Sequence, residues 1–173
     1  MKKNIFRILA VILCLLMAFS VVACTEGNTD TASENSDNTS KSSFSIKYNG
    51  AEIKLGANWS DVESKLGAPV SSLPTGNCGG LGETYRNDYS AFAITVVHYT
   101  DGSPLVDRIT VKSDAATTDK GIYIGSSKSD LTNAYGTPAK ENETSVIYVD
   151  GNAEFTFGIS NGKVDSITLA QNG

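Results

Sequence analysis

What the sequence has little of narrows its chemistry first. Among 173 residues there is one histidine, His98, one tryptophan, Trp59, and three cysteines, Cys14, Cys24 and Cys78. No His-x-x-x-His or Cys-x-x-Cys spacing occurs, and no Asp-x-Asp-x-Asp-Gly loop, so the common zinc and calcium patterns are absent and neither metal nor cofactor is expected. Cationic residues are also few, 14 against 19 acidic ones, which leaves no basic patch of the kind that grips nucleic acid. Two of the cysteines belong to the N-terminal region. Cys78 therefore stands alone in the part that can fold, and a disulfide within that part is excluded. Long apolar runs are missing everywhere except near the start.

That one run, from Ile8 to Val22, follows Lys2, Lys3 and Arg7 without an acidic residue, the layout of a secretory signal peptide over residues 1–23. At about 15 residues it is short for a membrane span, which needs about 20. It ends in Val21-Val22-Ala23-Cys24, which resembles the lipobox of bacterial lipoproteins. The resemblance implies that Cys24 takes a diacylglycerol thioether and becomes the first residue of the mature chain. Two or more acyl chains would then hold the protein at a membrane surface.

Residues 24–43 contain no aromatic or large aliphatic side chain after Cys24, so they cannot repay the entropy of ordering and read as a disordered tether. Losing three cations with the signal takes the formal charge from −5 to −8. The tether's four acids and Lys41 carry −3 of that, which leaves −5 on the 130 residues from Phe44 to Gly173. That length suits one domain with its own core.

Within it, one stretch occurs twice. Gly56 to Pro69 (GANWSDVESKLGAP) returns 69 residues later, without a gap, as Gly125 to Pro138 (GSSKSDLTNAYGTP). Each copy has the marks of a short helix with both ends fixed. Asn58 or Ser127 serves as N-cap, and Asp61 or Asp130 meets the free N–H groups of the first turn. Gly67 or Gly136 then ends the helix, with a proline two residues on that cannot continue it. The chain reads as a tandem duplication, residues 44–113 and 114–173.

Strand signals surround the helices. Phe44 to Tyr48 and Ala51 to Leu55 alternate around Asn49-Gly50, a strong hairpin signal. Three strands are expected after the first helix, from Tyr85, from Phe92 to Tyr99 and from Val106 to Lys112; three follow the second, from Val146 to Val149, Glu154 to Ile159 and Val164 to Leu169. Asp114 to Lys120 reads as a small polar connection. The offset between copies falls from 69 to 58, so the first carries about eleven additional residues. They lie mostly in Ser71 to Thr84, read as a glycine-rich loop and a common place to graft function. Gly79-Gly80-Leu81-Gly82 lacks the strand-to-helix context and following Lys-Ser/Thr of a phosphate loop. The expected fold is α+β: two tandem repeats, each a short capped helix on an antiparallel meander, forming one continuous curved sheet.

Superposing the copies sets Ile94 and Val96 against Phe155 and Phe157, and Ile109 and Val111 against Ile167 and Leu169. These should pack beneath the helices, with His98 closing the rim. Thr95, Val97, Tyr99, Arg108, Thr110 and Lys112, with Glu154, Thr156, Ser166 and Thr168, then make the opposite, largely polar face. It is either solvated or a shallow docking surface. The candidate partner-binding residues are Tyr85, Tyr89, Val97, Tyr99, Arg108, Lys112, Cys78 and Leu81.

The repeated Gly-x-[Asn/Ser]-x-x-Asp-[Val/Leu]-x-x-x-[Leu/Tyr]-Gly-x-Pro, followed by a meander ending in Gly-x-Val-Asp-x-Ile, resembles the repeat of beta-lactamase inhibitory protein and of the small SmpA/OmlA outer-membrane lipoproteins. The likeness spans Ile53 to Leu169. It implies a non-catalytic, membrane-anchored envelope protein that binds an extracytoplasmic protein or peptide, in an inhibitory role if it follows the first, through its sheet and the Ser71 to Thr84 loop. The inhibitor's disulfides have no counterpart here, and its gripping loop has no residue-by-residue match. Two other classes stand beside this one. A lipoprotein that senses a small molecule or cell-wall fragment would use Tyr85, Tyr89, Tyr123 and Tyr148 between the repeats. An envelope hydrolase would use Asp107 and Asp165, but a residue recurring in both copies points to structure, and a nucleophilic Cys78 lacks a base if His98 points elsewhere.

Overall fold

Helix starts are the best-marked features of the sequence, and they organise the rest. The computed structural model describes residues 42–77 and 82–172, all within one compact unit. The signal segment, Cys24, the tether up to residue 41, Cys78 and Leu81 lie outside the described residues. Helix α1 runs Trp59–Leu66. The preceding Asn58 keeps an extended backbone, and its Oδ1 accepts from Ser60 N at 3.0 Å. Helix α2 runs Lys128–Tyr135 with a complete capping box: Asp130 N donates to Ser127 Oγ, and Ser127 N donates to Asp130 Oδ2. Gly67 and Gly136 close the helices at φ 76° and 77°, a region where a side chain would be strained.

Asn49 and Gly50 both take positive φ, 48° and 81°, and fold β1 (Ile46–Tyr48) onto β2 (Ala51–Ile53). The stretch read as a polar connection contributes β7 (Thr117–Thr118), which pairs with β1. These make a three-stranded sheet ordered β2-β1-β7. The remaining strands form a separate, open sheet of eight. Across it run β3 (Ser71–Asn77), β4 (Gly82–Asp88), β5 (Phe92–Tyr99) and β6 (Leu105–Val111), then β11 (Lys163–Gln171), β10 (Ala153–Ser160), β9 (Ser145–Asp150) and β8 (Lys140–Glu141). All pairings are antiparallel. The strands thus divide between two sheets rather than sharing one, and each helix is followed by four strands of the larger sheet rather than three. The additional strand after α1 is β3, built from residues expected to form a loop. The eight-stranded sheet ends at β3, which contains Pro74 and a register shift next to it, and at β8, two charged residues long.

One hydrophobic core unites the helices and the larger sheet. Ile94, Val96, Ile109, Val111, Phe155, Phe157, Ile167 and Leu169 are buried as expected, together with Trp59, Val62 and Leu131 from the helices. Burial contributes about 1.5–3 kcal/mol for each large apolar side chain. Backbone bonds fasten each helix entry to a strand start. Gly56 N donates to Val106 O (2.7 Å), Val106 N to Ala57 O (2.9 Å) and Trp59 N to Pro104 O (2.8 Å). Gly125 N, Val164 N and Lys128 N donate likewise to Val164 O, Ser126 O and Gly162 O, at 2.8, 2.9 and 2.9 Å.

Two residues ahead of Phe44 contact the folded part. Ser43 donates to Asp150 Oδ2 from both its backbone N and its Oγ, each at 2.7 Å, and Ser42 Oγ adds a longer bond to the same oxygen. The final two residues assigned to the tether are therefore held on the folded part. The Ser43 hydroxyl, followed by its N–H, keeps the Asp150 carboxyl below its ordinary pKa.

Candidate functional site

The face of the eight-stranded sheet turned away from the core follows from register, because directly opposed residues on neighbouring strands point the same way. One row joins Leu73, Arg86, Thr95 and Arg108 across β3 to β6, and continues through Ala170, Glu154 and Val149 on β11 to β9. The adjacent row joins Asp88, Ala93, Thr110, Thr168, Thr156 and Ile147. Small and hydroxyl-bearing side chains occupy the middle of the second row, whereas Arg108 stands at the centre of the first. Leu73 is 56% exposed at one end of the first row, and Val149 is exposed at the other.

Charge on this face is uneven. Arg86 Nε donates to Asp88 Oδ1 at 3.1 Å, and Lys112 Nζ forms an ion pair with the same carboxylate. Lys112, followed by Arg86, holds the Asp88 carboxyl below the usual range. Arg108 is exposed and enters none of the ion pairs formed among the described residues. Arg86 and Asp88 were not singled out from the sequence. Counting alternate positions outward from the buried Asn87 would have found them, but Asn87 is polar and gives the alternation no apolar anchor.

The expected binding residues separate into different environments. Arg108 and Lys112 are on the outer face, and Tyr99 is 42% exposed at the end of β5. Val97 shares their phase but is only 3% exposed, opposite the half-covered Leu105 and the buried Thr84, so it offers no surface. Tyr89 is a core residue. Its ring packs on Phe92, its hydroxyl donates to Gly67 O at 3.0 Å, and burial, helped by Glu63, pushes its pKa up to about 12. Tyr85 lies opposite Val96, on the core side, and stacks at the rim on His98 with ring centroids 4.8 Å apart. Its hydroxyl donates to Glu83 Oε2, and that carboxylate raises the phenol pKa.

The four tyrosines considered for a cleft do not converge either. Tyr148 is buried and donates to Gly136 O at 3.1 Å, as Tyr89 does at the other helix end. Tyr123 is exposed and borders a shallow cavity of about 430 Å³ with Lys120, Ser126, Asp130, Asn133 and Ala134. Asp107 and Asp165 mark the two places where the register of the final strands shifts, opposite Thr95/Val96 and Gly158/Ile159. A β-bulge accounts for such a recurring residue without any chemistry. Among the described residues no group of three or more His, Cys, Asp or Glu is arranged to hold a metal ion, and no helix is long and apolar enough to cross a membrane.

No protein-family model matches the chain, and neither does any curated protein or solved structure.

Proposed function

We propose that the chain is a non-catalytic module of a bacterial envelope, lipid-anchored through Cys24, which binds an extracytoplasmic protein or peptide through the outer face of its eight-stranded sheet and the neighbouring β3–β4 hairpin. The observation that carries this reading is the face itself: broad, free of covering elements among the described residues, and bordered by exposed Leu73, Tyr99 and Val149.

Tandem duplication belongs to the same proposal, and several recurrences support it. The three bonds that fasten each helix entry recur atom for atom, and so do the tyrosine hydroxyls on the terminal helix glycines. Register refines the sequence superposition by two residues. Phe92 and Ile94 oppose Val111 and Ile109 just as Phe155 and Phe157 oppose Leu169 and Ile167, with a bulge following in both. Joined at β6 and β11, the meanders of two such units would make up the larger sheet, as in the arrangement implied by the resemblance to beta-lactamase inhibitory protein. An inhibitory role is the corresponding class of behaviour.

A crosslinking pull-down from native envelope tests the reading. Thr110→Tyr combined with Thr168→Tyr crowds the middle of the face without touching the core. A discrete crosslinked protein that disappears in the double variant is the expected result; a partner retained unchanged would sink the proposed surface. Loss of fatty-acid labelling in Cys24→Ser tests the anchor.

The cavity beside Tyr123 favours a second reading, binding of a small molecule or cell-wall fragment. A rise in melting temperature with muropeptide fragments, abolished by Tyr123→Ala, would support it.

A further inference from the structure

We propose that the β3–β6 half of the outer face docks an acidic protein segment, with Arg86, Arg108 and Lys112 as its carboxylate contacts. This rests on the reading of the outer face as a binding surface and assigns the chemistry of what binds there.

The first argument is charge complementarity. The folded part is acidic overall, yet this half of the face carries three cations, against the carboxylate of Asp88 and that of half-exposed Asp107, which bulges next to Arg108. The Asp88 carboxylate is shared by Arg86 and Lys112, and Arg108 has no ionic partner among the described residues. The other half carries Glu154 in the same row. A concentration of one sign on the less common side of the charge balance attracts the opposite sign and steers its approach.

The second argument is shape. Arg86 and Arg108 stand two strands apart, about 10 Å, and Lys112 lies four residues beyond Arg108, about 14 Å along the strand direction. Thr95, Ala93 and Thr110 lie between them. These short side chains leave depressions in which a partner's side chains can seat, while each guanidinium presents a planar fork suited to a carboxylate. Exposed Leu73 continues the row. An anionic polymer gains nothing from an apolar neighbour, whereas a peptide bearing both acidic and aliphatic residues uses the whole patch.

The test uses the full chain and three labelled probes: a peptide with glutamate at every third position and valine, leucine and threonine between, its glutamine counterpart, and inorganic polyphosphate. Fluorescence anisotropy should show binding of the glutamate peptide that weakens with salt and is absent for the glutamine one. Arg108→Glu should weaken it at least about tenfold. Because Arg108 is exposed, an unchanged melting curve checks that the variant folds. Equal binding of both peptides, indifference to Arg108→Glu, or binding of polyphosphate alone would each overturn the proposal. If the envelope partner is lost with the two tyrosine substitutions but kept with Arg108→Glu, the binding face stands and only its acidic preference fails.

Discussion

Thr110 on β6 lies directly opposite Thr168 on β11, and each threonine is flanked by the same pattern of buried neighbours. Ile109 faces Leu169, and Val111 faces Ile167. The seam between the two halves of the sheet is thus built from matching residues running in opposite directions. A local change at one side of the seam has a counterpart on the other, which makes paired substitutions informative.

The two tyrosine hydroxyls at the helix ends supply such a pair. Tyr89→Phe and Tyr148→Phe each remove one hydrogen bond to a terminal helix carbonyl, so each should cost about 1 kcal/mol in urea unfolding. They lie at separate helices, and the double variant should show the sum. A cost near zero for both would mean that water satisfies those carbonyls equally well.

Capping and anchoring of α2 can be separated. Ser127→Ala removes the box and should cost about 1 kcal/mol. Leu131 is the one buried residue of that helix, so Leu131→Ala should cost about 2–5 kcal/mol by chemical denaturation.

Burial of phenols sets an alkaline limit. Tyr89, with a pKa near 12, and Tyr135, raised by burial and by the bond it donates to Asp119, must stay neutral in the fold. Unfolded tyrosine ionises near 10, so their contribution is complete below pH 10 and declines as pH rises from there through 12. Stability measured from pH 9 to 11.5 should therefore fall less steeply in Tyr89→Phe than in the parent.

The Asp150 clamp has the opposite sign. Its carboxyl is depressed in the fold, so its contribution is present above the ordinary carboxyl value and lost as pH drops below it. Asp150→Asn should loosen residues 42 and 43 at neutral pH, read as faster amide exchange at Ser43 with little change in the core.

Glycine substitutions should divide sharply. A Cβ on Gly82 would come within 2.2 Å of His98 O, a backbone atom fixed by the β4–β5 ladder, whereas one on Gly158 would meet side-chain atoms of Ser166 and Asp165 that can turn away. Gly82→Ala should therefore cost at least about 2 kcal/mol, and Gly158→Ala clearly less.

Local rules made the helices legible, because caps and terminal glycines act within a few residues. The Asn49-Gly50 and Asn161-Gly162 turns were legible for the same reason, all four residues taking positive φ. The core phase was readable wherever strands alternate. β3 was not, since residues 72–76 are exposed and include proline and glycine, so nothing in Ser71–Asn77 repeats with period two. β7 is fixed by pairing with a strand some 70 residues away, which no local pattern records. Tyr89 was misplaced because it sits in the turn after β4, where the chain bends back into the core. At the outer face, Arg108 and Lys112 came from alternation, but their grouping with Arg86 needed the strand order.

Pro74 and the neighbouring irregularity at one border of the large sheet, and the two charged residues of β8 at the other, bear on behaviour at high concentration. Neither border offers a long, regular row of unsatisfied backbone groups onto which another molecule could add a strand. Copies crowded together should not add to one another through these borders or form fibrils, with a hydrodynamic radius that stays constant as concentration rises.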